Sequence, residues 1–165
     1  KQESATTALA NVQATYQRRA DLLPNLTKTV KAYAKHEKET FESVTKARTE
    51  ATQIKLDPES LTPEKLAAFQ KAQGNVAAAF GRLMAIAENY PELKASENFK
   101  DLQVQLEGTE NRINEARQKY NDAVQKYNQS VRTMPNVLVA GIFGFEKMSK
   151  FEAAEGSEKA PDLDI

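Results

Sequence analysis

The chain has 165 residues, 23 basic and 23 acidic side chains, 40% hydrophobic residues and no cysteine. One domain is the default at that length, and disulfide or thiol chemistry is excluded. The balanced charge gives no support for nucleic acid or an acidic membrane surface as a partner.

The chain opens on Lys1 rather than methionine, which reads as a trimmed or processed product. Its longest apolar run, "VLVAGIFGF" at 137–145, is far shorter than the roughly 20 residues that span a bilayer.

Residues 4–55 carry Leu9, Val12, Tyr16, Leu23, Leu26, Val30, Tyr33, Val44, Ala47, Ala51 and Ile54 at spacings of three, four and their sums, the period of one helix face. The stripe keeps its phase across Pro24, inside "RRADLLPNL". Proline removes one helix hydrogen bond and strains the carbonyl four residues back, here Ala20, so a kinked but continuous helix is expected. Arg18, Arg19 and Asn25 are candidate donors to the freed carbonyl. A full turn at Pro24, giving two helices, is the rival reading. Asp57-Pro58 ends the segment.

The second helix starts at "LTPEKL", with Thr62 as N-cap, Pro63 in the first helical position and Glu64 at the positive end of the dipole. Leu66, Phe69, Gln73, Val76, Phe80, Leu83 and Ala87 form its stripe, and Pro91 breaks it. The third helix starts near Ser96 and runs to about Thr133, with a stripe from Phe99 to Val131. A last short helix, about 137–151, is apolar on most faces. The tail from 153 to 165 has little to bury and reads as loose.

Long helices with single stripes and short connections predict an all-α, up-and-down antiparallel four-helix bundle, the first helix kinked near Pro24. Residues 1–152 make the bundle and 153–165 the acidic tail.

Chemistry is sparse. His36 is the one histidine. In "HEKET" the second histidine of a zincin helix is replaced by Thr40, and Tyr33 stands where a di-iron Glu-x-x-His would need glutamate. No catalytic residue, metal site or cofactor is expected. An enzyme reading would have to build a carboxylate site from Glu37, Glu88 and Glu110.

Polar residues sit on or beside the stripes: Arg19, Glu37, Arg48, Glu88, Glu110, Asn111, Arg117, Asn121 and Asn128. Buried charge costs several kcal/mol unless paired, so these predict a polar layer that fixes helix register. The sharper reading is a groove for a small molecule or peptide. "KYNDAVQKYN" places Tyr120 and Tyr127 on one face with Asn121 and Asn128 beside them, a tyrosine ladder that reads as bundle core.

"QRRADLLPNLTKTVKAYAKHEKETFESVTKAR", "AENYPELKASENFKDLQ" and "ENRINEARQKYNDAVQKYN" resemble the LemA family in order and spacing. With the "MP" segment and the apolar last helix, the resemblance covers residues 10–152. It implies a four-helix bundle and a bacterial protein held in a membrane by a single N-terminal spanning helix that precedes this sequence. It also suggests another envelope protein as partner, with a membrane metalloprotease as one candidate. The matching positions are Arg18, Arg19, Asp21, Pro24 and Asn25, then Glu88, Asn89, Tyr90 and Pro91, then Glu110, Asn111, Arg117, Tyr120 and Asn121. No catalytic role attaches to them, and they are carried forward as interaction or structural candidates.

Overall fold

The computed structural model describes residues 2–132. Over that span the protein folds as α1 (Gln2–Lys31), α2 (Lys38–Gln53), a 3-10 turn (Pro58–Ser60), α3 (Pro63–Ala87), α4 (Pro91–Ala95) and α5 (Glu97–Arg132), with no strand among the described residues. The described residues thus form five α-helices where three of the four expected helices fall. The expected helix at 137–151 and the tail from 153 lie outside the described residues.

The single helix expected over 4–55 is two helices, and the break is not at Pro24. Helix α1 continues through the proline to Lys31, and residues 32–37 then reverse the chain. The Val30 carbonyl closes α1 by accepting from Tyr33 N at 3.0 Å and Ala34 N at 2.9 Å. Nothing in "AYAKHE" is a helix breaker, so packing sets this turn. A helix over 4–55 would be roughly 75 Å long, with much of its stripe unpartnered. Folding back lets Phe41, Val44, Ala47 and Ala51 of α2 bury against α1 and α3. Tyr33, placed on the stripe by its spacing, falls in the turn and is 39% exposed.

Pro24 is solvent-facing, and Ala20, whose carbonyl it leaves without its usual intrahelical donor, is buried. The Arg19 guanidinium does not serve that carbonyl, because its bonds go to Glu110 and Gln73. Pro24→Ala restores the helix bond at an exposed site. After allowing for the proline's stiffening of the unfolded chain, it is expected to stabilise the protein by about 1–2 kcal/mol. A thermal melt checks this, and a lowered midpoint would mean the fold requires the proline.

The other helix starts follow local chemistry. Thr62 Oγ1 accepts from Lys65 N at 3.1 Å ahead of Pro63. Ser96 Oγ accepts from Phe99 N at 3.2 Å and caps α5. Pro91, expected only to break α3, also opens α4, because the first helical position needs no N–H donor. Gln13 clamps the connection after α2. Its amide donates to the Leu56 carbonyl and accepts from the Leu56 N–H, both at 2.9 Å.

Side-chain pairs fix the helix directions. Tyr16 meets Arg117 and Arg19 meets Glu110, so α5 runs opposite to α1. Asp21 meets Arg48 while Gln13 meets Leu56, so α2 also runs back along α1. Tyr16 meets Phe69 and Arg19 meets Gln73, so α3 runs with α1. The core has two apolar clusters. Leu23, Val30, Phe41, Phe80, Leu83, Phe99 and Leu106 belong to one. Leu9, Val12, Tyr16, Leu66, Phe69, Ile113, Tyr120 and Val124 belong to the other.

Candidate functional site

Between the two clusters lies a buried polar layer. On α1, Arg19 sits between Tyr16 of one cluster and Leu23 of the other. On α3, Gln73 sits between Phe69 and Val76, and on α5, Glu110 sits between Leu106 and Ile113. All three polar residues are buried.

Arg19 holds the layer together. One terminal nitrogen donates to Glu110 Oε1 at 3.0 Å. The other donates to the Gln73 carbonyl at 2.7 Å and to Gln73 Oε1 at 3.2 Å. The guanidinium carbon is 5.2 Å from the Tyr16 ring centroid, within cation–π range, and Tyr16 meets Phe69 edge-to-face at 5.2 Å. Arg117 also hydrogen-bonds Tyr16. A planar fork that reaches two helices at once is chemistry that lysine cannot supply. Arg19 Nε is buried without a hydrogen bond, so the layer is held by the two terminal nitrogens.

Burial raises the Tyr16 phenol. The positive charges of Arg117 and Arg19 oppose that rise, while the Glu110 charge adds to it. Tyr120 and Tyr127 are raised by burial, Tyr120 to about 12. Tyrosine in an unfolded chain ionises near pH 10, so above that pH the unfolded state holds fewer protons than the folded one. Stability is therefore complete below about pH 10 and falls as pH rises toward about 12. Urea titrations across that window check the decline. Tyr120→Phe should flatten it, and an unchanged slope would contradict the assignment to Tyr120.

The other candidate positions divide by exposure. Arg18, Asp21, Pro24, Asn25, Glu88, Asn89, Pro91 and Asn111 are exposed. Tyr90, Arg117 and Asn121 are half-buried, and Tyr120 is buried. Asp21 accepts from Gln17 at 2.9 Å and pairs with Arg48 at 3.4 Å. Glu88 pairs with Lys94 at 3.0 Å. The three glutamates of the enzyme reading are not assembled: Glu110 is held by Arg19, Glu88 by Lys94, and Glu37 precedes α2. Among the described residues, no group of three or more His, Cys, Asp or Glu could hold a metal.

The sequence reading placed Gln73 on the apolar stripe of α3 but missed its role as double acceptor for Arg19. Its one signal was a polar side chain at a core-facing position. The Gln13 clamp on Leu56 left no signal, since Gln13 lies beside the stripe and its partner is backbone.

The arrangement defines a class: an all-helical protein whose two apolar clusters are separated by an internally paired polar layer shared by α1, α3 and α5. The chain belongs to the LemA family, whose model matches residues 8–164. It is similar to the magnetosome protein MamQ of Magnetospirillum gryphiswaldense, with 28% identity over 166 residues, covering 90% of this chain and 61% of that protein. It is also similar to the magnetosome proteins MamQ 1 and MamQ 2 of Paramagnetospirillum magneticum, each 29% identical over 160 residues, covering 87% of this chain and 59% of theirs. The chain therefore spans about three-fifths of the length of these curated relatives. Among the described residues, no helix is long and apolar enough to cross a membrane.

Proposed function

We propose that this LemA protein is a non-enzymatic helical scaffold of a bacterial envelope, tethered by a membrane-spanning helix ahead of Lys1 and contacting another envelope protein. In this reading α1, α2, α3 and α5 form an up-and-down bundle, with α4 as a short insert. A membrane metalloprotease is the partner class that the family resemblance suggests.

One observation carries the reading. The buried charges of the family-matching set are consumed by one another, whereas Arg18, Asp21, Asn25, Glu88, Asn89 and Asn111 face solvent. A chain that spends its buried polarity on architecture and keeps its other matching polar groups outside is suited to surface contact rather than to chemistry in a pocket.

The tether is tested by fractionating the native full-length protein in a bacterial host with an alkaline carbonate wash. Retention in the membrane pellet is expected. Release into the soluble fraction would remove the anchor from the proposal.

A second reading, a small-molecule or peptide module, has one supporting observation. A cleft of about 350 Å³ between α1, the end of α2 and α3 is lined by Gln13, Gln17, Lys55, Phe69 and Gln73. It reaches the polar layer only at Gln73, and Arg19, Glu110 and Arg117 do not line it. Saturable thermal shifts that vanish in Gln17→Leu would favour this reading.

A further inference from the structure

The cleft between α1, the end of α2 and α3 is uneven in its chemistry. Its volume, about 350 Å³, lies toward the small end of the range for small-molecule sites, about 300–1,000 Å³. Ala14, Ala51, Ile54 and Phe69 give it apolar walls. Lys55 is its one charged side chain, and no acidic residue lines it. Lys55 is exposed and pairs with no carboxylate among the described residues. The C-terminus of α2 brings roughly half a negative charge to this end of the cleft, which a full positive charge outweighs. The segment that carries Lys55 is held in place, because Gln13 clamps both backbone groups of Leu56.

Gln73 supplies the second feature. It is 6% exposed, and its backbone carbonyl and Oε1 both accept from Arg19. A guanidinium only donates, so the amide atom that faces Arg19 has to be the oxygen, and the NH2 takes the other edge. That NH2 has no hydrogen-bond partner among the described residues, yet it is not sealed from solvent as Arg19 Nε is. Gln73 lines the cleft while Arg19 does not, so the edge it presents there is the nitrogen. Arg19 needs acceptors alone, so the polar layer makes no use of this donor. A largely buried donor without an acceptor costs free energy that an incoming acceptor recovers.

We propose that this cleft binds a small carboxylate on a short apolar chain, its oxygens between the Lys55 ammonium and the Gln73 NH2 and its chain along Ile54 and Phe69. The proposal rests on the small-molecule reading of the cleft, to which it gives a ligand class, and does not depend on the membrane anchor. A carboxylate answers both features, since its two oxygens accept from ammonium and amide at once through charge-assisted bonds. A bare inorganic anion would leave the apolar walls wet, and Lys55 would repel an amine.

The test titrates hexanoate into the isotope-enriched full chain, with hexanol and hexylammonium as controls. Hexanoate should shift the Gln73 side-chain NH2 signals and the Ile54 and Phe69 backbone amides saturably. For so few atoms the expected Kd is on the order of 1 mM. Hexanol should bind about tenfold more weakly, and hexylammonium should shift nothing. Lys55→Met, at an exposed side chain, should also weaken hexanoate about tenfold. Gln73→Glu keeps oxygens for Arg19 but puts an acceptor where the donor was, and should abolish binding without lowering the melting temperature. Equal binding of hexanoate and hexanol, or hexanoate binding undiminished in Lys55→Met and Gln73→Glu, would overturn the carboxylate while leaving the cleft a small-molecule site. No saturable shift from any of the three probes would remove the proposal and the small-molecule reading together.

Discussion

Arg19→Ala should lower stability by about 3–5 kcal/mol, because it strips the guanidinium from a buried carboxylate and from both Gln73 oxygens. In a protein of this size that is a fall in melting temperature of roughly 10 °C. Glu110→Ala should fall toward the lower end of the range. The guanidinium then keeps Gln73 and the Tyr16 ring, so less charge is stranded. Arg19→Lys should resemble the alanine variant more than wild type, since one ammonium cannot fork between α3 and α5. The exposed Glu88–Lys94 pair is the control, and Glu88→Ala should cost at most about 1 kcal/mol. Replacing the whole layer with Arg19→Met, Gln73→Leu and Glu110→Leu should be roughly neutral or stabilising. Doubled amide signals in that variant would support a register-fixing role, and a single sharp set would argue against it. Thermal melts of Arg19→Ala matching wild type would contradict the burial of the pair.

Phe80→Ala is the second large effect. Phe80 is 1% exposed on α3 and packs in the cluster with Leu23, Val44, Leu83 and Phe99. Removing the ring loses its transfer free energy and leaves a cavity that rigid helices only partly close, a cost of about 3–5 kcal/mol. The matching change at the surface, Val104→Ala, acts on a side chain that is 68% exposed and should stay within about 0.5 kcal/mol of wild type. Denaturant titration of both separates them, and equal midpoints would contradict the placement of Phe80 in the core.

These two residues mark what was legible in the sequence. Phe80 was readable because it belongs to an unbroken three-to-four spacing on α3, and Thr62 and Ser96 announced their helices through side-chain chemistry that acts within one turn. Arg19 and Glu110 were each legible as a charge in need of a partner, because each lies on an apolar stripe, but not as partners of one another. The turn at 32–37 was not legible. It contains no glycine or proline, and the phase of the stripe passes through it, so only the packing of Phe41 and Val44 against distant helices decides it. The same limit hid Gln73. A glutamine on a stripe signals a need for hydrogen bonds but not that an arginine 54 residues away supplies them. Pro91 was misjudged in the other direction, since a breaker in mid-helix is also a good starter for the next one.

The proposed division of labour, a buried layer that builds the fold and an exposed set that would meet a partner, is tested most directly by photocrosslinking in living cells. A photoreactive residue would be placed in the full-length protein at Arg18, Asn25 or Asn111, with Glu107, exposed on the same α5 helix, as the control position. The account predicts one discrete adduct with an envelope protein from the three matching positions, none from Glu107, and melting temperatures equal to wild type in all four. Adducts of equal yield at every position, or none from Arg18, Asn25 and Asn111 in a folded, membrane-retained protein, would contradict it.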